Sequence, residues 1–133
     1  MIEIKVKGEP VAKARPRFSK GHTYTPAKTR AQEELIRASY KKSGNGLIDG
    51  AIEAEFVFIY EPPKSLSKRK RLMLMGAPKL TRPDTDNLVK LCQDALNQTA
   101  YTDDSRIYKI TSQKIYGPEA MTIIRIKEVV TCG

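Results

Sequence analysis

The stretch Asp86-Asn87-Leu88-Val89-Lys90-Leu91-Cys92-Gln93-Asp94-Ala95-Leu96-Asn97 constrains this chain more than any other. At 100° per residue, Leu88, Leu91, Cys92, Ala95 and Leu96 fall on one stripe, the signature of a helix with a single apolar side. Such a stripe must be buried, and the flanking segments supply a sheet to bury it. Residues 2–7 alternate Ile2, Ile4, Val6 against Glu3, Lys5, Lys7, and residues 51–60 alternate Ile52, Ala54, Phe56, Phe58, Tyr60 against Glu53 and Glu55. Period-two alternation over such lengths reads as half-buried strands. Two further strands are expected at 106–116 and 120–129, joined by a turn at Gly117-Pro118.

Two more helices complete the reading. Residues 26–42 carry Pro26 in a first turn, Ala27, Ala31, Leu35 and Ala38 along one face, and Gly44 and Gly46 as the stop. Residues 65–75 form a shorter helix with Ser65 as cap and Gly76 as stop; Leu66, Met73 and Leu74 pack while Lys68 to Arg71 face outward. Residues 77–83 are read as a loop. The expected fold is α/β, of the α+β type: a single domain over 1–133, with a mixed sheet of about four strands and two to three helices. A chain of 133 residues is long enough for one ordinary core and too short to suggest two.

No apolar run approaches the ~18 residues that span a bilayer. The alternating start at Met1 reads as a strand, not an export signal, which points to the cytosol. Cys92 and Cys132 are far apart and read as reduced thiols. With those and one histidine, His22, a common zinc site is excluded, so any metal must use oxygen ligands.

Charge narrows the partner. The net charge is +9, and residues 62–83 hold seven cations (Lys64, Lys68, Arg69, Lys70, Arg71, Lys79, Arg82) and no acid. Two prolines keep residues 8–18 extended, so Lys13, Arg15 and Arg17 share one face as a basic ribbon. These residues are candidate contacts to a polyanion, DNA foremost. A basic protein that associates loosely with ribosomes or membranes is the plainer reading of the total charge alone.

On the helix of residues 86–97, Asp86, Lys90 and Asp94 recur every four residues opposite the apolar stripe, and Asp84 stands at or just before the N-cap. Singly these are ordinary: a capping aspartate and a surface ion pair worth about 0.2–0.5 kcal/mol. A second acidic pair, Asp103-Asp104, follows the helix, and the chain's return to the sheet is expected to bring Asp104 near Asp84 and Asp86. Two carboxylates ~4 Å apart repel by about 4 kcal/mol at an effective dielectric of 20, a penalty that a divalent cation removes. Oxygen ligands select Mg²⁺, or Mn²⁺ in its place. An EF-hand is excluded, because Leu88 replaces its fifth-position ligand and Val89 its sixth-position glycine. A carboxylate cage beside a basic surface suits phosphodiester hydrolysis, with Lys90 stabilising charge at phosphorus. The same short acidic motif also occurs in nucleotide-sugar enzymes, and a non-cleaving module for branched nucleic acid is the other alternative.

Asp84-Thr85-Asp86-Asn87-Leu88-Val89-Lys90, then Asp94-Ala95-Leu96 and Tyr101-Thr102-Asp103-Asp104-Ser105-Arg106-Ile107, resemble the RusA family of Holliday-junction resolvases. Pro10 to Arg17 is also similar to members from Gram-positive bacteria and their phages, so the resemblance spans nearly the whole chain apart from residues 20–50. It implies a Mg²⁺-dependent homodimer that resolves four-way DNA junctions by paired nicks, and it suggests a prophage origin. On this resemblance Asp84, Asp86 and Asp104 are catalytic metal ligands and Lys90 is the catalytic lysine. Asp94 and Asp103 are supporting residues. Lys13, Arg15, Arg17, Lys68, Arg69, Lys70, Arg71, Lys79 and Arg82 would bind DNA.

Overall fold

In the computed structural model, which describes residues 1–14, 17–19, 21–24 and 26–130, the alternating segments become the middle and edge of one sheet. Strands β1 (Ile2–Lys7), β4 (Ala51–Tyr60), β5 (Ile107–Tyr116) and β6 (Met121–Val129) pair in the order β1-β6-β4-β5. β6 runs antiparallel to both β1 and β4, whereas β5 runs parallel to β4. A second, two-stranded sheet pairs β2 (Arg17–Ser19), at the end of the segment 8–18 that is expected to be extended, with β3 (His22–Tyr24), a strand outside the expected elements. Arg15 and Cys132 lie outside the described residues, and Arg17 is described only as a backbone position in β2.

Helices α1 (Ala27–Lys42) and α3 (Thr85–Leu96) pack on each other and against the sheet. Their shared core contains Ile4, Val6, Ile52, Ala54, Phe56, Phe58 and Tyr60 from the sheet, with Leu88, Leu91, Cys92, Ala95 and Leu96 from α3. The α3 stripe is thus buried as its spacing requires. The opposite face of the sheet is polar and paired. Arg125 on β6 bridges Glu3 on β1 at 2.8 Å and Glu55 on β4 at 2.7 Å.

Two helix readings need correction. α1 does not bury the alanine face: Thr29, Gln32, Ile36 and Tyr40 are inside, and Leu35 is 52% exposed. Alanines contribute little area, so Ile36 and Tyr40 set the phase, and the Tyr40 hydroxyl reaches the Gly46 carbonyl at 2.6 Å. Pro26 is the N-cap residue and not part of the first turn. α2 (Lys68–Met73) is shorter than expected, and its cap is Ser67, whose Oγ accepts from the Lys70 amide at 3.3 Å. Met73, expected to pack, is 75% exposed, and α2 buries none of its residues. Six residues give less than two turns, too few to turn one side inward. Among the described residues, no helix is long and apolar enough to cross a membrane.

Candidate active site

α3 begins at Asp84, its N-cap residue, and Asp86 lies in its first turn. The Asp84 side chain makes no capping bond. Among the described residues, neither the Asp84 nor the Asp86 carboxylate has a hydrogen-bond or ion-pair partner, although a helix N-terminus offers free amides. Both acids are exposed on the side of α3 away from the core. Between α3 and β5 lies an open groove of about 530 Å³, lined by Thr85, Asp86, Asn87, Val89, Lys90, Gln93, Ile110 and Ser112. Lys90 and Asp94 pair along the helix at 3.6 Å.

The chain leading into Asp84 is held in place from below. The Lys114 ammonium on β5 donates to the carbonyls of Thr81 and Pro83, each at 2.6 Å. The Lys79 ammonium donates to Thr81 Oγ1 at 2.5 Å and to the Arg82 carbonyl at 2.7 Å, and it also sits 4.9 Å from the Tyr60 ring centroid. Lys79 therefore spends its charge on the loop. Lys114 has no signal in the local sequence, because a lysine on a strand becomes a loop support only through the fold.

Lys13 is similarly engaged. Its backbone amide donates to the Asn87 carbonyl at 2.9 Å, and its ammonium meets Glu33 at 3.0 Å and Asp94 at 3.2 Å. Burial draws the Lys13 pKa down, but the bonds to the two carboxylates outweigh it and leave it raised. Lys13 thus joins α1 to α3, held by Glu33 on α1 and by Asp94 on α3. Lys68, Arg69, Lys70 and Arg82 remain exposed, whereas Arg71 is half-buried.

Asp104 is elsewhere in the chain's own fold. It opens a single 3-10 turn, Asp104–Arg106, immediately before β5, and Asp103 caps that turn. The Ser105 hydroxyl and amide hold the Asp103 carboxyl below the usual carboxylate range. Tyr101 donates to the Gln93 carbonyl at 2.7 Å, and burial together with the charge of Asp104 pushes its hydroxyl well above its ordinary range. These contacts place Asp104 by the C-terminal end of α3. Asp84 lies by the N-terminal end, where Lys114 reaches across. A strand rises ~3.3 Å per residue, so Ile107 and Lys114 are about 23 Å apart along β5. The expected approach of Asp104 to Asp84 and Asp86 therefore does not occur within one chain. Among the described residues, no group of three or more His, Cys, Asp or Glu side chains is placed to hold a metal ion.

Residues 7–127 match the sequence family described as Endodeoxyribonuclease RusA. This chain belongs to that family. It is also similar to an uncharacterized protein, YqaN, of Bacillus subtilis (strain 168), with 35% identity over 138 residues covering 96% of each chain. Membership in this family makes the chain an endodeoxyribonuclease, an enzyme of DNA phosphodiester cleavage. At the head of α3 the Asp84 and Asp86 carboxylates, without partners among the described residues, are hard oxygen donors of the kind that a divalent cation takes, but one chain supplies only two of the expected three.

Proposed function

We propose that this protein is a cytoplasmic Holliday-junction resolvase that nicks junction strands in pairs as a homodimer, with each site completed across the two-fold axis. The observation that carries the reading is the acid pair Asp84 and Asp86, exposed at the head of α3 without partners among the described residues and directly preceded by residues 62–83, which carry seven cations and no acid.

The dimer follows from the separation of the acids. β5 is an edge strand. Among the described residues, segment 76–79 covers its outer side only over Lys114–Tyr116, through the Lys79 amide on the Lys114 carbonyl, the Ala77–Tyr116 and Gly76–Tyr116 bonds and the Pro78–Ile115 bridge. An uncovered edge bearing exposed Tyr108 and Ile110 invites pairing. A two-fold axis that runs two β5 edges antiparallel carries the Asp104 end of one subunit toward the Asp84 end of the other. Each site then takes Asp84, Asp86 and Lys90 from one subunit and Asp104 from its partner.

In such a site the Asp84, Asp86 and Asp104 carboxylates would hold Mg²⁺, or Mn²⁺ in its place, which when bound would supply Lewis acidity toward a phosphoryl oxygen and neutralise the clustered charge. Lys90 offsets negative charge that grows on the phosphate as a water oxygen bonds to phosphorus and the P–O3′ bond breaks. The groove beside Asn87, Gln93 and Ser112 gives the phosphate and its ribose polar neighbours. Lys68, Arg69, Lys70 and Arg82 bind arms by their phosphates, which position DNA without reading its sequence.

The test is a junction-cleavage assay with Mg²⁺, with and without chelator, on wild type and Asp86→Asn. Wild type should release paired nicked products only with the metal, and Asp86→Asn should bind the junction without cutting it. Cleavage by Asp86→Asn at the wild-type rate would overturn the site, and binding without any metal-dependent cleavage by wild type would leave only a binding module.

A further inference from the structure

We propose that Leu80 is a wedge that enters the base stack at the DNA branch point and so selects branched over continuous duplex; this rests on the junction-resolvase reading above. A single exposed leucine is unremarkable on most surfaces. Leu80 differs in how it is mounted. It is 90% exposed, yet the backbone on both sides of it is fixed. On one side the Lys79 amide bonds the Lys114 carbonyl at 2.9 Å, and Pro78 bridges to Ile115. On the other, the Lys114 ammonium holds the Thr81 and Pro83 carbonyls at 2.6 Å each. An apolar side chain on a fixed base loses little freedom on insertion, the condition under which a contact selects most strongly.

Charge names the occupant. Residues 62–83 contain no acid; one of their cations, Lys79, and the neighbouring Lys114 turn to brace the loop. Arg82, two residues from Leu80, stays exposed, and the segment's acid-free charge complements a polyanion and repels a second basic protein surface. An apolar side chain beside an outward cation on such a segment has the chemistry of wedges that part base steps.

Position gives the wedge its use. Leu80 precedes Asp84 by four residues, so the two backbones are at most about 14 Å apart. Base pairs repeat every ~3.4 Å, so an insertion by Leu80 puts a phosphate within a few nucleotides over the acid pair. Parting an intact stack is costly, and least so where pairing is already interrupted. A branch point accepts the wedge and a continuous duplex resists it, so the same side chain that seats the phosphate also discriminates between substrates.

The experiment uses a four-way junction carrying 2-aminopurine beside the branch, with Ca²⁺ for binding and Mg²⁺ for cleavage. Wild type should raise the fluorescence. Leu80→Ala should abolish the rise and cut the junction slower by about tenfold or more, while binding linear duplex within about twofold of wild type, because phosphate contacts are untouched. Leu80→Met, which keeps an apolar wedge, should retain both signals. The proposal is overturned if Leu80→Ala keeps the fluorescence rise and the cleavage rate. It is equally overturned if wild type cuts without any rise, or if Leu80→Ala sediments in a different oligomeric state, since Leu80 would then cover a subunit contact. If wild type neither cuts nor perturbs the junction, the resolvase reading itself fails before any substitution is compared.

Discussion

The Lys114 ammonium donates to the carbonyl of Pro83 at 2.6 Å, linking the far half of β5 to the residue immediately before Asp84. Together with its bond to Thr81, this makes Lys114 a positioning residue for the acid pair. Replacing it with Met leaves two carbonyls that water can satisfy, so the fold should survive. The loop, however, loses its anchor, and shifts of ~1 Å near reacting groups can cost up to about 100-fold in rate. Lys114→Met is expected to slow single-turnover junction cleavage by ten- to a hundredfold at saturating enzyme, on that same scale, with junction affinity changed less than about threefold. Lys114→Arg should restore part of the rate. An unchanged rate in Lys114→Met would show that the loop holds itself.

The phase of α1 can be tested by stability. Ile36 is fully buried and Leu35 is 52% exposed, although the two are neighbours. Ile36→Ala should cost about 2–5 kcal/mol by the transfer and cavity terms, and Leu35→Ala less than about 0.5 kcal/mol. Urea titrations of the two variants check this, and similar midpoints would return α1 to the alanine-faced reading.

Cys92, at 2% exposure, faces the core from α3. Burial pushes its thiol up to about 12, so the folded protein keeps the proton that the unfolded chain begins to lose near 9.0. The unfolded state then binds fewer protons than the native state, and stability from this group falls as pH rises above the unfolded value. At pH 8 in native buffer, iodoacetamide should modify Cys92 at least about a hundredfold more slowly than in urea, read by peptide mass, because the reactive thiolate is both scarce and enclosed. Rapid native labelling would mean that α3 opens readily.

What the residues declared in advance, and what they concealed, follows the range of the interactions. Asp86 to Asn97 announced α3 to within a residue at each end, because a single apolar stripe is a local property. β1 and β4 were equally plain from alternation. α1 misled because its buried side includes Thr29 and Gln32, which hydropathy marks as outward. α2 misled because two serines, Ser65 and Ser67, compete for one cap and only one captures the Lys70 amide. Lys13 and Lys79 read as phosphate contacts because charge counts do not reveal inward partners; Glu33, Asp94 and the Thr81–Arg82 backbone had already claimed them. The placement of Asp104 depended on the direction of β5, and a parallel neighbour to β4 puts the strand's start, and Asp104 with it, at the end of α3 away from Asp84.

That direction yields a test that distinguishes a site built within one chain from one built between two. If Asp104 serves its partner's site, a heterodimer of Asp86→Asn and Asp104→Asn contains one site with both lesions and one with none. Each variant alone should be inactive. Mixed after partial denaturation and refolding to allow subunit exchange, they should recover nicking of one strand per junction and no paired cleavage. With statistical exchange about half of the dimers are mixed, so nicked product should appear at up to roughly a quarter of the wild-type strand-cleavage rate, as expected for isologous pairing. If Asp104 instead served its own chain, every site in the mixture would carry one lesion and no activity would return. Recovery of single nicks from two dead proteins therefore requires that the two-fold axis bring Asp104 to the Asp84 and Asp86 of the other subunit.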